Sequence, residues 1–226
     1  PRIANFDDLD PLNAEDGVEV VIVEAGAVIP SDADVILIPG SKATLSDLAA
    51  LRAEGWDIDI LAHHRRGGVV VGLCGGYQML GQTVADPDGI EGAAAAVAGL
   101  GLLDVDTVIG AAKTLRPAAG RDTVFGQAIT GYEMHMGDTT GPGLARPWLT
   151  LADGTDGAVS ADGRVMGAYV HGLFAADEFR RAFLSALRAG DYAAASHAAR
   201  VEETLDALAA HLETHLDMEA LAAAFT

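Results

Sequence analysis

VVVGLCGGYQMLG, residues 69–81, carries the only cysteine of the chain. Three valines lead into a glycine, and Cys74 follows between Gly72 and the pair Gly75–Gly76. The β-branched run reads as a strand, and GYQMLGQTV (76–84) after it reads as a short helix. A side chain at such a strand-to-helix turn is lifted clear of the sheet. Its neighbours must be small, because their Cβ atoms would clash in so tight a bend. The helix that follows aims its N-terminal N–H groups at the sulfur, which favours thiolate and can stabilise an oxyanion. A lone cysteine in an apolar run is otherwise a small buried hydrophobe. The ordered strand, glycines and helix put the nucleophile reading ahead of that one.

Working outward, VEVVIV (18–23) and DVILIPG (34–40) read as further strands, near-continuously apolar as in a parallel sheet buried on both faces. Residues 44–67 have helical spacing, with Gly55 between two segments. This alternation predicts an α/β fold: an open, mostly parallel sheet with helices on both faces. Residues 85–103 read as a Gly/Ala-rich loop, and VDTVI, TVFGQAI, WLTL and GRVMGAYV between 104 and 170 as short β runs. Helices return from Asp177 and include a last one over DMEALAAAF. Leu205, Leu208, Leu212 and Leu216 sit at helical spacing and predict a packed amphipathic face. Residues 1–190 are expected to form one domain and 191–226 a helical extension packed on it.

The 226 residues hold 33 acidic and 14 basic side chains, a net charge of −19, and Lys42 and Lys113 are the only lysines. That surface repels phosphate backbones and anionic membranes, which argues against nucleic acid as a partner. No apolar run reaches the length of a membrane span. The start, PRIANFDDLDPL, resembles neither a signal nor a transit peptide and lacks a methionine, so a piece of a longer protein is expected. One cysteine forms no internal disulfide and no cysteine zinc site, and suits a reducing, cytoplasmic compartment.

A thiol nucleophile needs a base. His63 and His64 read as solvent-facing at a helix end, and His197, His211 and His215 lie in the C-terminal helices. HLETH (211–215) lacks the H-E-x-x-H order, so no metal site is expected. His135 in GYEMHMG and His171 in GAYVHGLF remain. His171 ends an apolar strand at a glycine turn, as Cys74 does, and is the better base if the two strands are parallel neighbours. IPGSK (38–42) is another strand-to-glycine turn; it is no phosphate loop, but Gly40 or Ser41 could complete an oxyanion hole with Gly75.

GLCGGYQMLG with a later YVHGLF resembles the class I, or triad, glutamine amidotransferases, whose G-x-C-x-G-x-Q motif falls on Gly72, Cys74, Gly76 and Gln78. NFDDLDPL, IPGSK, DPDGIEG, GLGLLDVDT, GYEMHMG and YVHGLF, in this order, resemble the glutaminase domain of the cobyric acid synthase family. The resemblance implies attack by Cys74 on the glutamine side-chain amide, with His171 as general acid and base. It also implies Gln78, Tyr132, Glu133 and His135 at the glutamine pocket. Where many triad enzymes have H-P-E, this chain has His171-Gly172-Leu173, which leaves a Cys-His dyad. The orienting group is then Glu133 or a residue of a partner domain. No cofactor is expected in this chain. The resemblance places ATP and Mg in an N-terminal synthetase domain that amidates carboxylates of a corrinoid acceptor. Three alternatives stay open: the glutaminase of another ATP-dependent amide ligase (cobyrinic acid a,c-diamide synthase or a cell-wall isoglutamine-forming enzyme), a non-catalytic amidotransferase-like module, and a cysteine hydrolase acting on another amide.

Overall fold

The computed structural model describes residues 5–188, 192 and 196–217. A first turn of helix, α1 (Asp10–Asn13), precedes strand β1 (Val35–Ile38). Helices α2 (Thr44–Ala53) and α3 (Trp56–Arg65) follow, parted at Gly55, whose φ of 76° only glycine adopts at little cost. Then come β2 (Val69–Leu73), α4 (Gly75–Leu80), β3 (Thr83–Asp86) and β4 (Ala95–Ala98). Two long strands, β5 (Asp106–Asp122) and β6 (Ala128–Thr140), form a hairpin. Short strands β7 (Leu149–Leu151), β8 (Gly154–Asp156), β9 (Ala158–Val159), β10 (Val165–Ala168) and β11 (Val170–His171) lead to α5 (Asp177–Leu187) and α6 (His197–His215).

The strands make two sheets rather than the single, mostly parallel one expected. The smaller has the order β1-β2-β10-β9, with β1, β2 and β10 parallel. The larger has the order β11-β6-β5-β3-β4, with β7 and β8 alongside, and is antiparallel except for the β3–β5 pair. The antiparallel content comes from the β5–β6 hairpin, which the sequence broke into short runs because Gly110, Pro117 and Gly120 interrupt the pattern. The helix read over GYQMLGQTV ends at Leu80 and its last residues open β3, and β3 and β4 occupy part of the segment expected to be loop.

Two further expectations change. VEVVIV joins no ladder: Val18 and Val20 pack against the core, whereas Val21 and Ile22 are half exposed. The run borders a cavity of about 1070 Å³ with β1, so its apolar character made it eligible for a strand but no described strand pairs with it. His63 is buried, not solvent-facing; its Nε2 lies 3.1 Å from the Val69 carbonyl oxygen, and burial holds its pKa below the usual range.

The smaller sheet is apolar on both faces, as the pleat requires. Val71 and Leu73 of β2 face a cluster with Phe174, Phe179 and Phe183, while Val70 faces Leu48, Ile60, Tyr77 and Leu80 of α2, α3 and α4. The register sets Ile38 beside Gly72, and Gly167 and Ala168 beside Gly72 and Leu73. Three chain turns therefore leave one edge together: Gly40–Ser41 after β1, Cys74 after β2, and the segment to His171 after β10.

The chain divides into two compact units, 1–192 and 193–226. Within the second, Leu205, Leu208 and Leu212 of α6 and Leu216 at its C-cap are 39–51 % exposed. The helix read over DMEALAAAF lies outside the described residues apart from Asp217. No helix among the described residues is long and apolar enough to cross a membrane.

Candidate active site

Cys74 has φ 51° and ψ −113° and is the only non-glycine residue at positive φ among the described residues. Such backbone strain costs about 1–3 kcal/mol and persists only where the surroundings enforce it. Here the Cys74 N–H donates to the Ala168 carbonyl at 2.8 Å, and the Cys74 carbonyl accepts from Gln78 N at 3.1 Å. Close packing fixes the glycines. A Cβ on Gly76 would overlap the Ile38 carbonyl oxygen, and one on Gly75 would lie 2.9 Å from Ser41 N. The elbow is thus pressed against the Gly40–Ser41 turn. The Ser41 hydroxyl donates to Asp47 at 2.6 Å and accepts from Ala43 N at 3.0 Å, so its side chain is committed to shaping that turn. The Cys74 thiol donates to the Met134 carbonyl at 3.2 Å, which sets β6 along the mouth of the elbow.

His171 is 1 % exposed, and its Nδ1 lies 2.7 Å from Asp8 Oδ2. The other Asp8 oxygen accepts from Gly172 N at 2.7 Å, and Asp8 itself is fully buried. His171 Nε2 is buried with no hydrogen-bond partner. Tyr132 stacks on the ring at 5.3 Å, and its hydroxyl pairs with Asn5. Burial works against the imidazolium, but the Asp8 hydrogen bond and charge, with the nearby Cys74, outweigh it and push the His171 pKa up to about 9. A carboxylate on Nδ1 and an open Nε2 beside a thiol are the arrangement of a base with its orienter.

Two further contacts aim this histidine. Buried Asp156 accepts from Tyr169 N at 2.8 Å and Val170 N at 3.0 Å, where the chain passes from one sheet to the other. Burial pushes its pKa up to about 6 despite those two N–H groups. Buried Arg180 pairs with Glu15 and donates to the Phe174 carbonyl at 2.7 Å. It thereby ties the segment carrying Asp8 to the turn after His171.

Glu133 is not the orienter of His171. The β6 pleat sends Tyr132 to the His171 face and Glu133 to the other, as the pairs His171–Tyr132 and Val170–Glu133 show. Glu133 accepts from Arg116 Nε at 2.7 Å and contacts His135 Nε2 at 2.9 Å. His135 Nδ1 faces the Gly137 carbonyl at 3.0 Å, and the ring stacks on Tyr169 at 3.9 Å. Gln78 also turns inward. Its Oε1 accepts from Thr44 at 2.9 Å, and its Nε2 donates to the Met136 carbonyl at 3.0 Å and to Tyr169 at 3.3 Å. Its amide braces α4 against α2 and β6 and does not reach open space. Asp8 is the residue sequence reasoning missed, although NFDDLDPL was singled out; the replaced glutamate after His171 was the signal that an acid had to come from elsewhere.

A family model described as a CobB/CobQ-like glutamine amidotransferase domain matches residues 1–179. The chain is 57 % identical over 222 residues to a cobyric acid synthase of Cereibacter sphaeroides, covering 98 % of this chain and 46 % of that one. It is 59 % identical over 220 residues to a cobyric acid synthase of Ruegeria sp., covering 97 % and 45 %. The chain therefore spans about half the length of the curated relatives it matches. Among solved structures, PurLQS from Thermotoga maritima superposes with a TM-score of 0.60 at 18 % identity, over 80 % of this chain and 92 % of that one, a likeness of fold alone.

Proposed function

This chain belongs to the CobB/CobQ-like glutamine amidotransferase family, and on that premise we propose that it hydrolyses glutamine at Cys74 and supplies the ammonia to a synthetase domain. The observation that carries this reading is the strained elbow thiol beside a buried histidine whose far nitrogen is held by Asp8.

The Cys74 thiolate attacks the side-chain amide carbon, forming a C–S bond while the carbonyl electrons move to oxygen. The Gly75 N–H and the Gly40–Ser41 turn face that oxyanion across the close contact between the two turns. Collapse breaks the C–N bond, and the proton on His171 Nε2 leaves with the ammonia. His171 then takes a proton from water as it attacks the thioester, releasing glutamate and restoring the thiolate–imidazolium pair. Asp8 keeps the imidazole oriented and favours its charged form throughout.

The acceptor step belongs to the other half of the relatives' length. As the family resemblance implies, the ammonia would amidate side-chain carboxylates of a corrinoid, displacing phosphate from each once it is activated. ATP would supply that activation and Mg²⁺ would hold its phosphates in the synthetase half. Among the described residues no group of three or more His, Cys, Asp and Glu side chains comes together to hold a metal, and no step above uses either group.

Glutamate release by the chain joined to its synthetase half tests the proposal. Wild type releases glutamate from glutamine, and Cys74→Ala does not. Equal release by both would refute it.

A further inference from the structure

The mechanism above leaves DPDGIEG, residues 86–92, without a role, yet the loop is built to hold one side chain in place. Asp86 is 1 % exposed; its Oδ1 accepts from Ile90 N and its Oδ2 from Glu91 N, both at 2.8 Å. Gly89 turns the chain at φ +66°, and a Cβ there would lie 2.7 Å from the Gly92 carbonyl oxygen. A buried carboxylate satisfied by two consecutive backbone amides is a rigid support. What it presents is the Glu91 carboxylate.

Glu91 lies against the elbow's own bracing. Its Oε1 is 3.2 Å from Thr44 Oγ1, which is 2.9 Å from Gln78 Oε1. Thr44 has a single hydroxyl proton, so it donates to only one of these oxygens at a time. Gln78 holds the shorter contact. Glu91 is then left with one backbone donor, Leu45 N, at the long distance of 3.4 Å. Among the described residues no Lys, Arg or His forms an ion pair with it. Set at the first turn of α2, this half-buried carboxylate has the helix dipole and one long hydrogen bond but no side-chain cation, which leaves a place for a cationic partner.

The reaction brings a cation of the right size. Gln78 lies one helical turn from Cys74, about 6 Å along the axis. The α-nitrogen of glutamine lies about 5 Å from the amide carbon that Cys74 attacks. We propose that Glu91 binds the α-ammonium of the substrate glutamine and so selects an amino acid over a simple amide. This inference rests on the glutaminase reading above. It assigns Asp86 as the positioning residue that holds Glu91, and it excludes Glu91 from the bond-making steps.

The test compares glutamine with glutaramate, the same side-chain amide without the α-amino group, in the chain joined to its synthetase half. Wild type should prefer glutamine in kcat/KM by about 10–100-fold, the range of one hydrogen bond to a charged group. Glu91→Gln, which keeps the shape, should lose most of that preference through KM for glutamine while turning over glutaramate as wild type does. Asp86→Asn should lose part of the preference in the same direction. Equal losses on both substrates would make Glu91 a mere helix cap and overturn the assignment, as would an unchanged preference. Failure of wild type to use either amide would instead overturn the glutaminase reading, and this inference with it.

Discussion

Two carboxylate–histidine pairs lie on opposite faces of β6, and they are built for different work. Asp8 gives one oxygen to His171 and the other to Gly172 N, so no second side chain competes for it, and His171 keeps Nε2 open. Glu133 is shared between Arg116 and His135, and both nitrogens of His135 face oxygen acceptors. The first pair has spare hydrogen-bonding capacity at Nε2, on the side of Cys74. The second is closed on itself and locks the β5–β6 hairpin. Proximity in sequence misleads here, since the pair with the open nitrogen is separated by 163 positions and the locking pair by two.

His171→Asn should break this comparison most severely. It removes proton transfer outright and should lower glutamine turnover by about 1000-fold or more, measured as glutamate release. Asp8→Asn should cost about 100-fold and carry a diagnostic pH effect. Without the carboxylate, the His171 pKa should fall from about 9 toward 6.5, and the alkaline limb of kcat/KM should move down with it. The stability consequence has a fixed sign. A folded pKa raised above the unfolded value contributes stability in full below 6.5 and loses it as pH rises through about 9. Denaturant titrations at several pH values should show that slope in wild type and lose it in Asp8→Asn.

Glu15→Gln sharpens the comparison by leaving both pairs intact while loosening the segment that delivers Asp8. Breaking one partner of this buried pair should cost about 3–5 kcal/mol of stability. Turnover should fall about 10-fold, in kcat rather than KM, because the imidazole is less well aimed. Glu133→Gln should have the smallest effect on chemistry. Turnover should stay within about 3-fold and the pH limbs should not move, while thermal unfolding reports a loss of about 1–2 kcal/mol. A shifted alkaline limb in Glu133→Gln would erase the distinction between the two pairs.

The elbow was legible because small residues after an apolar strand signal close packing whatever they pack against. Gly72 is crowded by Leu80 and Gly76 of the following helix, whereas Gly75 and Gly76 are crowded by Ser41 and Ile38 of the neighbouring strand and turn, and the strands DVILIPG and GVVVGL formed as read. Asp8 was not legible, because nothing within NFDDLDPL distinguishes the buried Asp8 from the exposed Asp7; that difference is made by His171 and Gly172. Glu133 was misassigned for a related reason. The sequence shows Tyr132 and Glu133 as neighbours, and only the register of β11 on β6 reveals which of the two shares a face with His171. VEVVIV failed at the level of pairing, since apolar content does not supply a ladder partner.

The central claim is that Cys74 is the nucleophile of a glutamine-specific site. Intact-protein mass after exposure to an electrophilic glutamine analogue, with the synthetase half present, tests it most directly. The account predicts one adduct on wild type, suppressed by free glutamine and absent from Cys74→Ala. An adduct that persists in Cys74→Ala, or one that glutamine does not suppress, would contradict it.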